Sequence, residues 1–189
     1  VAALTFIIDT IIVIFLLRFL LQLTDADGRN IFSLWISKLT APVLRIVEYI
    51  LPARHRINWP CLFVVVLLKA LVLCWLIWQQ VNAMPHLGGL VLLTFAQLLY
   101  LTCNIFFVSL ILQAILSWVA VLGGRVLPIY DVVANINSPL LSPIQRVVPL
   151  LGGVDLSPII ALLAIQLIKF YVLGPVGLFA VQLLFTQSN

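Results

Sequence analysis

The sequence predicts an all-α membrane protein, with four transmembrane helices arranged as two repeats of parallel orientation, each carrying an interfacial amphipathic segment. Three observations predict it. Of the 189 residues, 64% are hydrophobic and 8% charged, against about 25% charged in an ordinary soluble domain. That leaves too little polar surface to cover a water-facing globule, so hydrocarbon must be part of the solvent. Four apolar runs are long enough to cross a bilayer. A proline-punctuated segment occurs twice.

A spanning helix needs about 20 mostly apolar residues, because each rises about 1.5 Å through about 30 Å of hydrocarbon. The first run, 4–23, is interrupted by Asp9 and Arg18. It lacks the basic start and short core of a signal peptide, so it reads as a retained span. The chain opens without a methionine, as a processed or trimmed terminus would. The second run, 61–78, contains Lys69, and the third, 87–121, is too long for one simple crossing. The fourth, 158–185, contains Lys169 and an expected kink at Gly174-Pro175. All must be helical, since an open strand leaves unpaired backbone groups in lipid.

Between the first two runs, residues 30–51 mix Phe32, Trp35, Leu39 and Leu44 with Ser33, Lys38, Thr40 and Arg45. The mixture is too polar to span and too apolar for a free loop. It reads as one or two interfacial helices broken near Pro42. Residues 130–148 have the same character. A re-entrant hairpin is the alternative for both segments.

The two proline segments set the domain organisation. Pro42 to Pro60 reads PVLRIVEYILPARHRINWP, and Pro139 to Pro158 reads PLLSPIQRVVPLLGGVDLSP. Aligned at their first prolines, Pro52 meets Pro149 and Asn58 meets Asp155. Upstream, Leu17-Arg18 aligns with Leu112-Gln113. Repeat one is thus 1–95, with span 4–23, interfacial segment 30–51, span 61–78 and an outer connection 79–95. Repeat two is 96–189, with span 96–121, interfacial segment 130–148 and span 158–185. Residues 87–95 become extra turns ahead of the third span.

The second segment, with its prolines, Arg146, Gly152-Gly153, Asp155 and Ser157-Pro158 in one register, resembles the signature of the YggT (YlmG) family of small bacterial and plastid membrane proteins. The resemblance covers nearly the whole chain. The first segment departs from the pattern, with Arg54-His55-Arg56 in place of the glycine turn. The resemblance implies association with maturation of the covalent haem of cytochrome b6 in plastid relatives. In bacterial relatives it implies cell division, envelope organisation and osmotic or ion homeostasis. It carries over no catalytic residue.

Lysines and arginines indicate orientation. Arg29, Lys38, Arg45, Arg54 and Arg56 occupy the first connection, and Arg125 and Arg146 the third. The connection 79–86 and both termini hold none. The positive-inside rule then puts the two basic connections in the cytoplasm and the termini outside, in a multi-pass protein of the bacterial inner membrane. Both repeats share that orientation, so their pseudo-symmetry axis is expected along the membrane normal.

Two groups of residues are candidate sites. On the cytoplasmic side, Arg45, Arg54, Arg56, Arg146, Asp155 and Ser157 are candidates for holding anionic lipid headgroups or a partner. Ser157-Pro158 is a helix start, the serine capping exposed amides and the proline pre-set for the first turn. Inside the spans, Asp9, Lys69, Asn104, Gln166 and Lys169 are the candidate polar set. A lysine at mid-span costs about 3 kcal/mol on insertion scales, so Lys69 requires compensation. Asp9 is the only carboxylate in any span and is its expected partner. Arg18 and Lys169 are expected to snorkel to the interfaces.

The rest argues against enzyme chemistry. Cys61, Cys74 and Cys103 sit in apolar runs without ligand spacing, and His55 and His86 fall on opposite sides of the membrane. No cofactor or metal is expected. The net charge of +4 is spread among apolar runs, which suits anionic lipid and not nucleic acid. The expected function is a non-enzymatic scaffold or assembly factor that binds lipid, a membrane protein partner or further copies of itself. The alternative is a small channel or transport-associated protein. A continuous hydrated path around Lys69 favours transport, and a closed polar knot favours scaffolding.

Overall fold

The computed structural model describes residues 2–24, 31–49, 58–81, 84–121, 128–147 and 157–185. These are helical almost throughout. The order is α1 (Ala2–Leu23), α2 (Ile31–Glu48), α3 (Trp59–Val81), α4 (Leu87–Val121), α5 (Pro128–Val147), α6 (Ser157–Ile168), a π-helical turn (Lys169–Leu173) and α7 (Gly174–Phe185). Four stretches are long and apolar enough to cross a membrane: Ala3–Leu23, Trp59–Gln80, Leu87–Val119 and Ser157–Phe185. They are apolar on all sides, and their outward faces carry Phe6, Phe63, Leu99, Val108 and Phe170. Hydrocarbon accepts such faces and water does not.

The 35-residue α4 is the central post. It contacts α1, α3, α5, α6, the π turn and α7. At about 1.5 Å per residue it is about 52 Å long. Its N-terminal excess is covered by α7, where Leu93 packs with Ala180 and Leu184, beside Leu73 of α3. The main apolar core joins α1, α3 and α4 through Ile12, Phe15, Leu16, Val65, Leu98 and Ile105, with Leu44 of α2 closing one end. A second core joins α4, α5 and α6 through Leu110, Leu141, Ala161 and Ile165. The amphipathic helices α2 and α5 meet over the end of α1, where Leu21, Val132 and Ile136 pack with Ile36.

Five differences from expectation have physical causes. First, α2 is one helix and continues through Pro42. A proline at this position leaves the Lys38 carbonyl without its helical N–H, and one residue away Arg18 ties the helix to α1. Its Nη1 lies 2.6 Å from the Ser37 carbonyl oxygen and 2.6 Å from Thr40 Oγ1. The second proline segment behaves likewise, since α5 continues through Pro139 and Pro143.

Second, the second span starts earlier than residue 61. Asn58 Oδ1 accepts from the Cys61 backbone N–H at 3.0 Å, an N-cap that begins α3 at Trp59. Its Nδ2 donates to Gln22 Oε1 at 2.8 Å, which ties the cap to α1.

Third, the outer connection expected at 79–95 is shorter. The second span runs on to Val81 and α4 begins at Leu87, so residues 87–95, expected as extra turns, are continuous with the third span.

Fourth, Lys169 turns to the neighbouring α4 and not along its own helix, as described next, whereas Arg18 turns to the amphipathic α2, the segment expected at the interface.

Fifth, the irregularity expected at Gly174-Pro175 appears one turn earlier. The Gly174 N–H donates to the Lys169 carbonyl, five residues back, because Pro175 cannot continue the regular ladder.

Candidate functional site

The polar side chains inside the bundle form bonded sets, each joining two helices. Lys69 Nζ of α3 lies 2.7 Å from Asp9 Oδ1 of α1. The Lys69 side chain is 6% exposed and that of Asp9 38%, so the ammonium is enclosed and the carboxylate reaches the surface. Lys169 Nζ, in the π turn, lies 2.7 Å from Asn104 Oδ1 of α4 and 4.6 Å from the centre of the Tyr100 ring. Asn137 of α5 is fully buried. Its Nδ2 donates to Gln113 Oε1 of α4 at 2.8 Å, and its Oδ1 accepts from Ser109 Oγ at 2.5 Å.

The sequence-predicted intramembrane set is therefore split. Asp9 pairs with Lys69, and Asn104 pairs with Lys169. Gln166 lines the same outward-facing groove as Lys169, about 580 Å³ in volume, with Tyr100, Phe170, Gly174 and Leu178. Sequence reasoning missed the Arg18–Thr40 and Gln113–Asn137 contacts. A signal was present. The span alignment sets Arg18 against Gln113, and the proline alignment sets Thr40 against Asn137, so polar residues recur in register on both elements.

Of the second candidate group, Arg45 and Arg146 are exposed in the last turns of α2 and α5, where a cation also complements the helix dipole. Ser157 is fully buried at the start of α6. Arg54, Arg56 and Asp155 lie outside the described residues, as does His55. Among the described residues, no group of three or more His, Cys, Asp or Glu is placed to hold a metal ion. Cys61 is buried, and its Sγ lies 3.2 Å from the Phe15 carbonyl oxygen.

Over 168 residues the chain is 37% identical to an uncharacterized protein of Pseudomonas aeruginosa, covering 86% of this chain and 82% of that one. It is 36% identical over 176 residues to the uncharacterized protein YggT of Escherichia coli K12, covering 88% and 87%. The chain belongs to the YggT family. The family profile, described as CCB3/YggT, matches residues 92–176, a stretch that runs from α4 through Lys169 to Pro175. A protein of Vibrio alginolyticus, also described as uncharacterized, is 30% identical over 174 residues, covering 89% and 91%. No solved structure matches. Membership thus joins the YggT name to a multi-pass helical protein whose polar groups bridge its spans.

Proposed function

We propose that this YggT-family chain is a non-enzymatic scaffold or assembly factor of the bacterial inner membrane. Its termini lie outside and its two basic connections in the cytoplasm. The observation that carries this reading is the use made of the intramembrane polar groups. Asp9 with Lys69, Asn104 with Lys169, and Gln113 with Asn137 each clamp one helix to another. A transport path needs polar groups left available along a continuous route. Here the enclosed Lys69 is spent on a helix-to-helix bond.

The cytoplasmic face supplies the binding chemistry. On α2, exposed Lys38 and Arg45 alternate with exposed Trp35, Leu39 and Ile46. Such a helix lays its apolar side chains among acyl chains and its cations among anionic headgroups, or against an acidic partner. A doubled architecture supports the reading. The offset that aligns Arg18 with Gln113 also aligns Asp9 with Asn104, the two acceptors of a lysine from the next span of their own half. Two such halves in parallel orientation would present two amphipathic helices to one membrane surface.

The test is purification in native lipid followed by quantitative mass spectrometry. A membrane protein co-purifying in fixed stoichiometry is expected. Ion flux in liposomes that disappears in Lys69→Met, with folding intact, would reverse the reading in favour of transport.

A further inference from the structure

We infer that the groove around Lys169 is a docking site for a transmembrane helix of another protein that carries an aspartate or glutamate at mid-span. The inference rests on the scaffold reading and names the class of partner.

Charge is the first argument. Asp9 is the only carboxylate within the four spanning stretches, and it is engaged by Lys69 at 2.7 Å. Among the described residues, the partners of Lys169 are the Asn104 carboxamide at 2.7 Å and the faces of Tyr100 and Phe107, at 4.6 and 5.7 Å to the ring centres. These groups orient an ammonium and solvate it in part. None of them neutralises it. A charge at this depth calls for a counter-charge, and the chain's own spans hold no second one.

Access is the second argument. Lys69 is enclosed, whereas Lys169 is half-buried and opens onto a groove of about 580 Å³ on the outside of the bundle. Lys169 begins the π turn, Lys169–Leu173, a distortion often found at functional positions, and Lys169, Phe170 and Tyr171 of that turn line the groove. Gly174 lines the groove without a Cβ, so a second helix can come close to the backbone there.

Depth selects the occupant. Lys169 lies about 18 Å of helix from Ser157 and about 24 Å from Phe185, at about 1.5 Å per residue. A lipid phosphate sits at the headgroup level, near the ends of that path and well away from Lys169. Asn104 also draws the ammonium inward, at the middle of the 35-residue α4. A carboxylate on a partner helix can be delivered at this depth, with the remaining lining of Phe170, Tyr171 and Leu178 packing against its apolar turns.

The test uses the full chain in phosphatidylcholine vesicles and three synthetic polyleucine transmembrane helices, with Asp, Asn or Leu at the central position. Association is read by energy transfer between dyes on the two molecules. The Asp helix is expected to bind at least tenfold more tightly than the Leu helix, and the Asn helix to fall between. Lys169→Gln should reduce the Asp helix to the level of the Leu helix, and Lys169→Arg should restore the preference. Each variant is first checked for unchanged helicity and thermal transition. If Lys169→Gln does not fold, the preference in Lys169→Arg and the parent decides. Equal binding of Asp and Leu helices to the parent would overturn the inference. So would loss of the preference when phosphatidylglycerol is added, which would make lipid the occupant. Lys169-dependent association with a dye-labelled second copy of the chain would also overturn it. A negative result here, beside a stoichiometric partner in the native-lipid purification, would reject this site while leaving the scaffold reading standing.

Discussion

Lys69 Nζ and Asp9 Oδ1 lie 2.7 Å apart, a bond between two spanning helices across sixty residues of sequence. The pair compensates an enclosed ammonium, and its removal should follow the rule for buried ion pairs. Breaking such a pair from one side costs about 3–5 kcal/mol, whereas replacing both partners by apolar side chains can be neutral. We predict that Lys69→Met and Asp9→Leu each lower the thermal transition, and that the double variant is more stable than Asp9→Leu alone. Asp9→Asn should be milder than Asp9→Leu, because Asn104 already holds Lys169 by the same kind of bond. Thermal unfolding of all four variants in one detergent measures this, and strictly additive losses would count against a coupled pair.

Asn137 serves two partners at once. Replacing it by leucine leaves the Gln113 carboxamide and the Ser109 hydroxyl without it in a buried site, at about 1–3 kcal/mol per group left unsatisfied. Ser109→Ala removes one bond and leaves Asn137 its contact with Gln113. Asn137→Leu should therefore destabilise more than Ser109→Ala, and a larger effect of Ser109→Ala would contradict the bonding pattern.

At Gly89, α4 comes close to α7. A Cβ there would sit 2.8 Å from the Leu184 backbone nitrogen and 2.9 Å from its Cγ. The backbone cannot yield cheaply, so Gly89→Ala should cost about 1–3 kcal/mol as overpacking. Gly177→Ala meets nothing within 4 Å and should be neutral or slightly stabilising. Equal transitions for the two variants would show that the α4–α7 contact is looser than described.

Orientation can be read from exposed positions. In a cysteine-free background, Met84→Cys should react with an impermeant maleimide added outside intact cells, and Arg45→Cys and Arg146→Cys should react only after permeabilisation. The reverse pattern would invert the topology and put the amphipathic helices outside.

The sequence alone determined the four spans, the two amphipathic segments and the family, because each is a local property. Hydropathy summed over about 20 residues decides whether a segment enters lipid, and lipid then requires a helix whatever the neighbours do. The Asp9–Lys69 pair was legible for a related reason, since only one carboxylate was available inside the spans.

Tertiary structure decided what depends on helix rotation and depth. Lys169 is expected to reach an interface along its own helix, and it meets Asn104 of α4 instead. Arg18 meets Ser37 and Thr40 of the amphipathic α2, partners that spacing along α1 does not name. Pro42 reads as a break in the sequence, but the helix runs on through it while packed against α1, where Arg18 bonds the Ser37 carbonyl. Sequence spacing gives the face a residue occupies on its own helix. Which atom stands opposite is set by packing, and in hydrocarbon a polar group takes the partner that packing places within reach, because no water is there to compete.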